Sequence, residues 1–379
     1  MRRFHFDYLR QATELPRLFM ADLNKTKNIN NPKRILIINT ALIGDIVSSF
    51  PAIRQYIRAK RPARVDLLVT SPLKTLAERI RGVNKVYSAR SISNRLIETP
   101  TTVAERKELL NNHYDMVIAL RLSKEAYKLL KELKFRAIKT TFKSYTRYLA
   151  YISGKNSTED VKQLREFFFE ALDGHYEQVG DIFDLCHEDY RIVRKLKAMK
   201  GASQKVIIHT GSGWKLKRWE NKKWIQLLKE IRAVGDFTFI FVGGDDQEQE
   251  DFNLIQRNLD FKVYSLIKKI DLKALFITMR LADYFIGIDS GPRNLSYLAD
   301  LRSIGLVGPG PRIFMPFSHE DIVINKSDCR CSASFCHRHP TCMQKIQVLD
   351  VFSAFVRLAK IKFHALDQKN KPFGRRDPL

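Results

Sequence analysis

Apolar residues along this chain alternate between two kinds of spacing. Short unbroken runs, four to six residues long, are each followed by a longer stretch in which apolar positions recur every three or four residues. The first series reads Ile35–Ile38, a loop through Gly44-Asp45 and a helical stretch to about Lys60; Val65–Val69 and then Leu73–Ile80; Met116–Ala119 and then Lys124–Leu133. A second series begins with Val206–His209 and a helix from Asn221 to Val234. It continues through Phe237–Val242, a helix from Gln247 to Leu259, the stretch Asp271–Leu281, the strand Tyr284–Ile288, a helix from Gly291 and the strand Ser303–Val307. Strands that are apolar at every position, not at alternate ones, suit a parallel sheet covered on both faces. Their alternation with helices predicts the α/β class, as two doubly wound, Rossmann-like domains in tandem.

The boundaries follow from where the pattern stops. Residues 1–32 form a basic extension in which Leu15, Leu18, Phe19 and Leu23 fall at helical spacing among Arg2, Arg3, Arg10 and Arg17, so it could lie on an anionic membrane surface or pack on the protein itself. Residues 33–185 form the first domain, 186–204 a charged linker, 205–350 the second domain, and 351–379 a C-terminal helix with a polar tail.

With 44% hydrophobic and 28% charged residues the chain can fold around cores and is not disordered. Charge adds more. The formal net charge is +25, and residues 1–150 hold 30 Lys and Arg against 12 Asp and Glu. The positive field therefore belongs mainly to the first half and would attract a polyanion: nucleic acid, anionic lipid headgroups or a phosphorylated glycan. No segment offers the roughly 20 apolar residues that span a bilayer, and the start of the chain has no signal-peptide core, so a cytoplasmic protein is expected. Cys329, Cys331, Cys336 and Cys342, near His337 and His339, read as buried thiols or a metal knuckle before disulfides. Their C-x-C-x4-C-x5-C spacing lacks the paired C-x2-C of common zinc sites, and no metal is assigned.

Candidate chemistry lies in the loops that follow strands, where open α/β sheets bind ligands. Gly44 and Asp45 sit in the first of these; Asp45 could take a proton from a hydroxyl or could cap the helix after it. Thr210, Gly211 and Ser212 form a small-residue loop ahead of Lys217 and Arg218, so backbone donors and cations could converge on one anion. Gly243 and Gly244, before Asp245 and Asp246, permit close backbone approach to a nucleotide or make an ordinary turn. Asp289-Ser290-Gly291-Pro292 is a well-formed helix start whose N–H groups could meet a ligand.

Taken together, Ile35–Asp45 with Pro51, Thr210-Gly211-Ser212 with Lys217-Arg218-Trp219, Val242-Gly243-Gly244, Gly287–Gly291 with Pro292 and Leu295, and Cys342-Met343 give the chain a resemblance to glycosyltransferase family 9, the ADP-heptose:lipopolysaccharide heptosyltransferases, from Lys33 to Lys360. The resemblance implies a GT-B architecture, an acceptor domain and a nucleotide-sugar domain facing a cleft, and inverting transfer to a lipopolysaccharide or lipooligosaccharide core. No cofactor is implied beyond the ADP-sugar as substrate. It implies Asp45 as the general base. Lys217 would contact the donor diphosphate, with Arg218 beside it; Thr210, Gly211 and Ser212 would form the phosphate loop, Asp289, Ser290 and Gly291 the nucleotide-sugar loop, and Gly243 would also line the donor site. Glu248 lies near a donor-contacting acid. The family's usual His is replaced by Asn294, which can hydrogen-bond a sugar or phosphate but cannot carry a proton.

Gly44, Arg121 and Lys124, with the cluster Lys131–Lys143, are candidate contacts to the acceptor, chosen by charge and position. The expected partners are a nucleotide-sugar donor and an anionic lipid A-core glycolipid, met at the cytoplasmic face of the inner membrane, and no nucleic acid. Two readings compete: a basic nucleic-acid-binding protein, against which the absence of an RNA-binding aromatic motif or zinc finger counts, and a GT-B protein with another donor or without transferase activity.

Overall fold

The structure, a computed structural model, describes residues 29, 31–92, 99–140, 164–175, 181–308, 321–326 and 339–361. The basic extension apart from a few residues, the polar tail, Cys329, Cys331, Cys336, His337 and the end of the Lys131–Lys143 cluster lie outside these. The chain divides into two compact units. The described residues up to Ile192, together with Ile270–Phe276, form one; Val193–Lys269 and the described residues from Ile277 onward, Ile270–Phe276 aside, form the other.

The first unit contains β1 (Arg34–Asn39), α1 (Ile43–Lys60), β2 (Arg64–Thr70), β3 (Lys85–Ala89), α2 (Val103–Asn111), β4 (His113–Arg121), α3 (Lys124–Glu132), β5 (Lys134–Thr140), α4 (Leu164–Ala171) and all but the last two residues of α5 (His187–Arg194). Its five strands are parallel in the order β3-β2-β1-β4-β5. Ile35 to Asn39 are buried at every position, so both faces of β1 are covered. Leu36 and Ile38 pack with Leu68, Tyr87 and Leu129 on one face. Neither β3, α2 nor β5 was anticipated from the sequence.

Gln204–His209 (β6), Asn221–Val234 (α6), Phe237–Phe241 (β7), Asp246–Arg257 (α7), Tyr264–Ser265 (β8), Leu272–Arg280 (α8), Tyr284–Ile288 (β9), Gly291–Leu298 (α9), Ser303–Val307 (β10), Ile322–Asn325 (β11) and Val348–Leu358 (α10) follow. In the second unit the parallel strand order is β11-β10-β9-β6-β7-β8. Trp224, Leu227 and Ile231 of α6 and Val351 and Phe355 of α10 pack on alternate residues of β6, β7, β9 and β10. Burying an aromatic or branched side chain of this kind is worth about 1.5–3 kcal/mol.

Each sheet has one place where strand order reverses and the crossovers leave in opposite directions. That place is between β1 and β4 in the first unit and between β6 and β9 in the second. The carboxyl ends of these pairs are the positions where open parallel sheets form ligand crevices. Among the described residues no helix is long and apolar enough to cross a membrane.

Candidate active site

At the first reversal, the chain leaves β1 through Thr40-Ala41-Leu42 and enters α1 at Ile43. Asp45 is therefore the third residue of the helix; the N-cap is Leu42, which supplies no side-chain cap. The capping alternative for Asp45 is ruled out by this placement. Its carboxylate instead accepts a charge-assisted hydrogen bond from Nη1 of Arg121, the last residue of β4. The pair is nearly sealed, with side chains 9% and 5% exposed. Removing either partner of such a pair would leave the other a buried charge without its ion-pair contact. Thr40 fixes the two strand ends together, because its Oγ1 accepts from the amide of Ser123 at 2.7 Å and its own amide donates to the Arg121 carbonyl at 2.9 Å.

Arg121 was a candidate acceptor contact; the structure turns its guanidinium inward onto Asp45. Gly44 is half-buried in the first turn of α1, and its carbonyl accepts from Ser48 Oγ at 2.8 Å. Lys124 is exposed at the start of α3, whose N-cap Ser123 accepts from Ala126 N. Lys131, Lys134 and Arg136 are exposed as well.

At the second reversal the connections after β6, β7 and β9 meet. Lys217 Nζ lies 2.5 Å from Asp289 Oδ2, joining the segment after β6 to the turn after β9. Thr210 is buried, and Ser212 holds its loop by accepting from Trp214 N at 3.1 Å. Arg218 was expected beside the anion; it donates from Nε to the Ser212 carbonyl at 2.9 Å and faces Asp251 at 3.9 Å, which makes it a support for the loop. Asn294 is buried on α9, where its Nδ2 donates to the Ser290 carbonyl at 3.1 Å. Gly291 is the first residue of α9 and Pro292 follows it.

Glu248 organises the loop after β7. Its Oε2 accepts from the amides of Gly244 at 2.5 Å and Asp245 at 3.0 Å, and Asp245 accepts in turn from Glu248 N, so the pair forms a reciprocal cap on α7. Its Oε1 lies 3.0 Å from His209 Nε2. Burial alone would raise the Glu248 carboxyl, but the imidazole and the two amides outweigh it and hold it below the ordinary glutamate value. A Cβ on either Gly211 or Gly243 would overlap this carboxylate. These glycines admit Glu248, a reason different from the ligand approach that the sequence suggested. Asp246, beside the turn after β7, pairs with Lys268 Nζ at 2.5 Å.

His209 carried no role in the sequence reading. It is the last residue of β6, buried, with Nδ1 3.0 Å from Ser290 Oγ. The available signal was its position, a polar residue ending the apolar run Val206–Ile208 just before Thr210-Gly211-Ser212. Arg293 was also missed. It is fully buried, with Nη2 3.4 Å from Asp321 Oδ2. Among the described residues no group of three or more His, Cys, Asp or Glu is arranged to hold a metal. Cys342 is buried at the start of the short helix Cys342–Lys345.

The profile of glycosyltransferase family 9 (heptosyltransferase) matches residues 103–345. The chain is similar to lipopolysaccharide heptosyltransferase 1 of Campylobacter coli, at 21% identity over 73% of this chain and 84% of that one. It is 23% identical to lipooligosaccharide heptosyltransferase 2 of Campylobacter jejuni, over 74% of this chain and 86% of the relative. Among solved structures, E. coli ADP-heptose lipopolysaccharide heptosyltransferase II superposes with a TM-score of 0.66 at 16% identity, covering 89% of this chain and 99% of that one. E. coli heptosyltransferase WaaC with ADP gives 0.61 at 18% identity, covering 86% and 99%. At these identities the structural likeness speaks to the fold, two Rossmann-like units of the GT-B class.

Proposed function

Because this chain belongs to glycosyltransferase family 9, we propose that it is an inverting heptosyltransferase. It moves a heptose from ADP-heptose to a hydroxyl of a lipopolysaccharide or lipooligosaccharide core. The observation that carries the reading is the contact of Lys217 with Asp289, two residues of separate loops that the resemblance assigns to the donor and that meet at the reversal point of the second sheet.

The chemistry divides between the units. In the first, Asp45 receives the proton of the acceptor hydroxyl as its oxygen forms a bond to the anomeric carbon. Arg121 cannot give up its proton and acts on Asp45 only through charge and geometry. A positioned base of this kind contributes roughly 10²–10⁴-fold. In the second, the bond from the anomeric carbon to the diphosphate oxygen breaks, and ADP leaves with the electron pair. Lys217 and the amides at Ser290 and Gly291 meet the charge that develops on it, the kind of preorganised electrostatics that often dominates catalysis. No resident cofactor enters this scheme.

The basic first half suits an acceptor bearing phosphates and acidic sugars, and Lys124 is an exposed cation available to it. Such an acceptor places the enzyme peripherally at the cytoplasmic face of the inner membrane, with residues 1–32 as a candidate contact. Incubation with ADP-heptose and a heptose-deficient core, read by mass spectrometry beside GDP- and UDP-sugars, tests the reading. One added heptose from the ADP donor is expected; no added mass from any donor removes the transferase claim, and transfer from another nucleotide sugar reassigns the donor.

A further inference from the structure

Three loops of the second unit are tied by one line of side chains. Glu248, in the first turn of α7, meets His209 Nε2 at 3.0 Å; His209, at the end of β6, meets Ser290 Oγ through Nδ1 at 3.0 Å; and Ser290, just after β9, also has Oγ 3.0 Å from the Ile288 carbonyl. Glu248 and His209 are buried, while Ser290 is half-buried and remains reachable.

A hydroxyl has one hydrogen and can accept on its oxygen, so the protons along this line can be counted. Glu248 is held ionised and acceptor-only, which assigns the His209 Nε2 proton to it. If Nδ1 is bare, Ser290 donates to it. If Nδ1 carries a proton, that proton goes to Ser290 Oγ, and the hydroxyl hydrogen goes to the Ile288 carbonyl. In both arrangements the hydrogen of Ser290 is used inside the protein and only lone-pair density faces outward.

We propose that Ser290 is a specificity residue that accepts a hydrogen bond from a hydroxyl of the nucleotide sugar, on its ribose or its transferred sugar, and that His209 is the positioning residue that enforces this. The anionic oxygens of the diphosphate, which offer no hydrogen, fall to Lys217 and to backbone amides. The inference rests on the nucleotide-sugar reading above and narrows it: the side chain at the turn after β9 recognises a polyol, and the Ser290 hydroxyl, unlike its backbone amide, takes no part in holding phosphate.

Titration calorimetry with pyrophosphate, ADP and ADP-heptose tests it, on the full chain and on Ser290→Ala, His209→Asn and His209→Gln, each first checked for an intact thermal transition. Asn can place a side-chain amide near the position of Nδ1, keeping the contact to Ser290; Gln reaches the position of Nε2, keeping only the contact to Glu248. Ser290→Ala is expected to weaken ADP or ADP-heptose by about 3- to 10-fold, the worth of one hydrogen bond, and to leave pyrophosphate within about twofold. His209→Gln should reproduce that selective loss, and His209→Asn should restore most of it. Pyrophosphate weakened as much as the hydroxyl-bearing ligands would overturn the inference while leaving the donor reading intact. Equal losses for Asn and Gln at position 209 would overturn the positioning role. A wild-type chain that bound neither ADP nor ADP-heptose would remove the donor reading and this inference with it.

Discussion

Gly211 lies so close to Glu248 that a single added methyl would occupy the place of the carboxylate, although Gly211 follows β6 and Glu248 stands in the first turn of α7. Gly211→Ala is expected to cost about 1–3 kcal/mol, the usual result of overpacking a tight site. In a Glu248→Ala background the same change should cost little, giving a coupling of order 1 kcal/mol or more in a double-mutant cycle followed by urea unfolding. Additive losses would show that Gly211 serves something other than room for Glu248.

Asp45 and Arg121 allow catalysis and stability to be separated. Asp45→Asn removes the proton acceptor and leaves Arg121 buried opposite a neutral amide. Turnover should fall about 10²–10⁴-fold, and the fold should lose about 3–5 kcal/mol. Adding Arg121→Met to this variant should recover much of the stability and none of the turnover. A double variant that regained transfer would return Asp45 to a purely structural role.

Lys217→Met deletes the cation facing Asp289. A charge-assisted contact to a diphosphate is worth about 1.5–3 kcal/mol, so ADP affinity should fall roughly 10- to 100-fold, with turnover reduced as well. Asp289→Asn tests the other side: it frees the ammonium, and the affinity for pyrophosphate should hold or rise. Unchanged ADP binding in Lys217→Met would dissociate this lysine from the donor.

Acid stability should depend on Asp189. Burial pushes its carboxyl up, but the Lys273 ammonium at 2.8 Å and the amide and thiol of Cys186 overcome this and hold it at about 2. Arg79 lies at 3.0 Å from the same carboxylate. An unfolded aspartate titrates near 3.9, so the folded value is depressed. The stabilisation is then complete above about pH 4 and is lost as pH falls toward 2, amounting to about 2 kcal/mol. Asp189→Asn should be less stable than wild type at neutral pH, and the difference should shrink over that acidic window in unfolding curves.

What the sequence revealed followed burial. The central strands β1, β6 and β9 are covered on both faces and appear as unbroken apolar runs, so their positions were legible. β3 and β5 are edge strands, and β5, Lys-Phe-Arg-Ala-Ile-Lys-Thr, intersperses cations with its apolar residues, so it shows no unbroken apolar run. The same logic divides the site. Lys217, Asp289 and Ser290 stand in turns whose composition advertised them. The burial of Arg121 against Asp45, and the room that Gly211 leaves for Glu248, depend on contacts between residues tens of positions apart. His209 was hidden for a related reason, since its meaning lies in the two partners that other loops bring to it.

All strands described in each sheet run the same way, so every strand-to-helix turn opens on one rim and every return on the other. Variation in donor or acceptor choice can therefore accumulate by exchanging turns on the first rim while the hydrogen-bonded ladders stay untouched. The opposite rim, where a side chain added at Gly201 ahead of β6 would meet nothing, offers a place for a surface tether away from the turns that carry the chemistry.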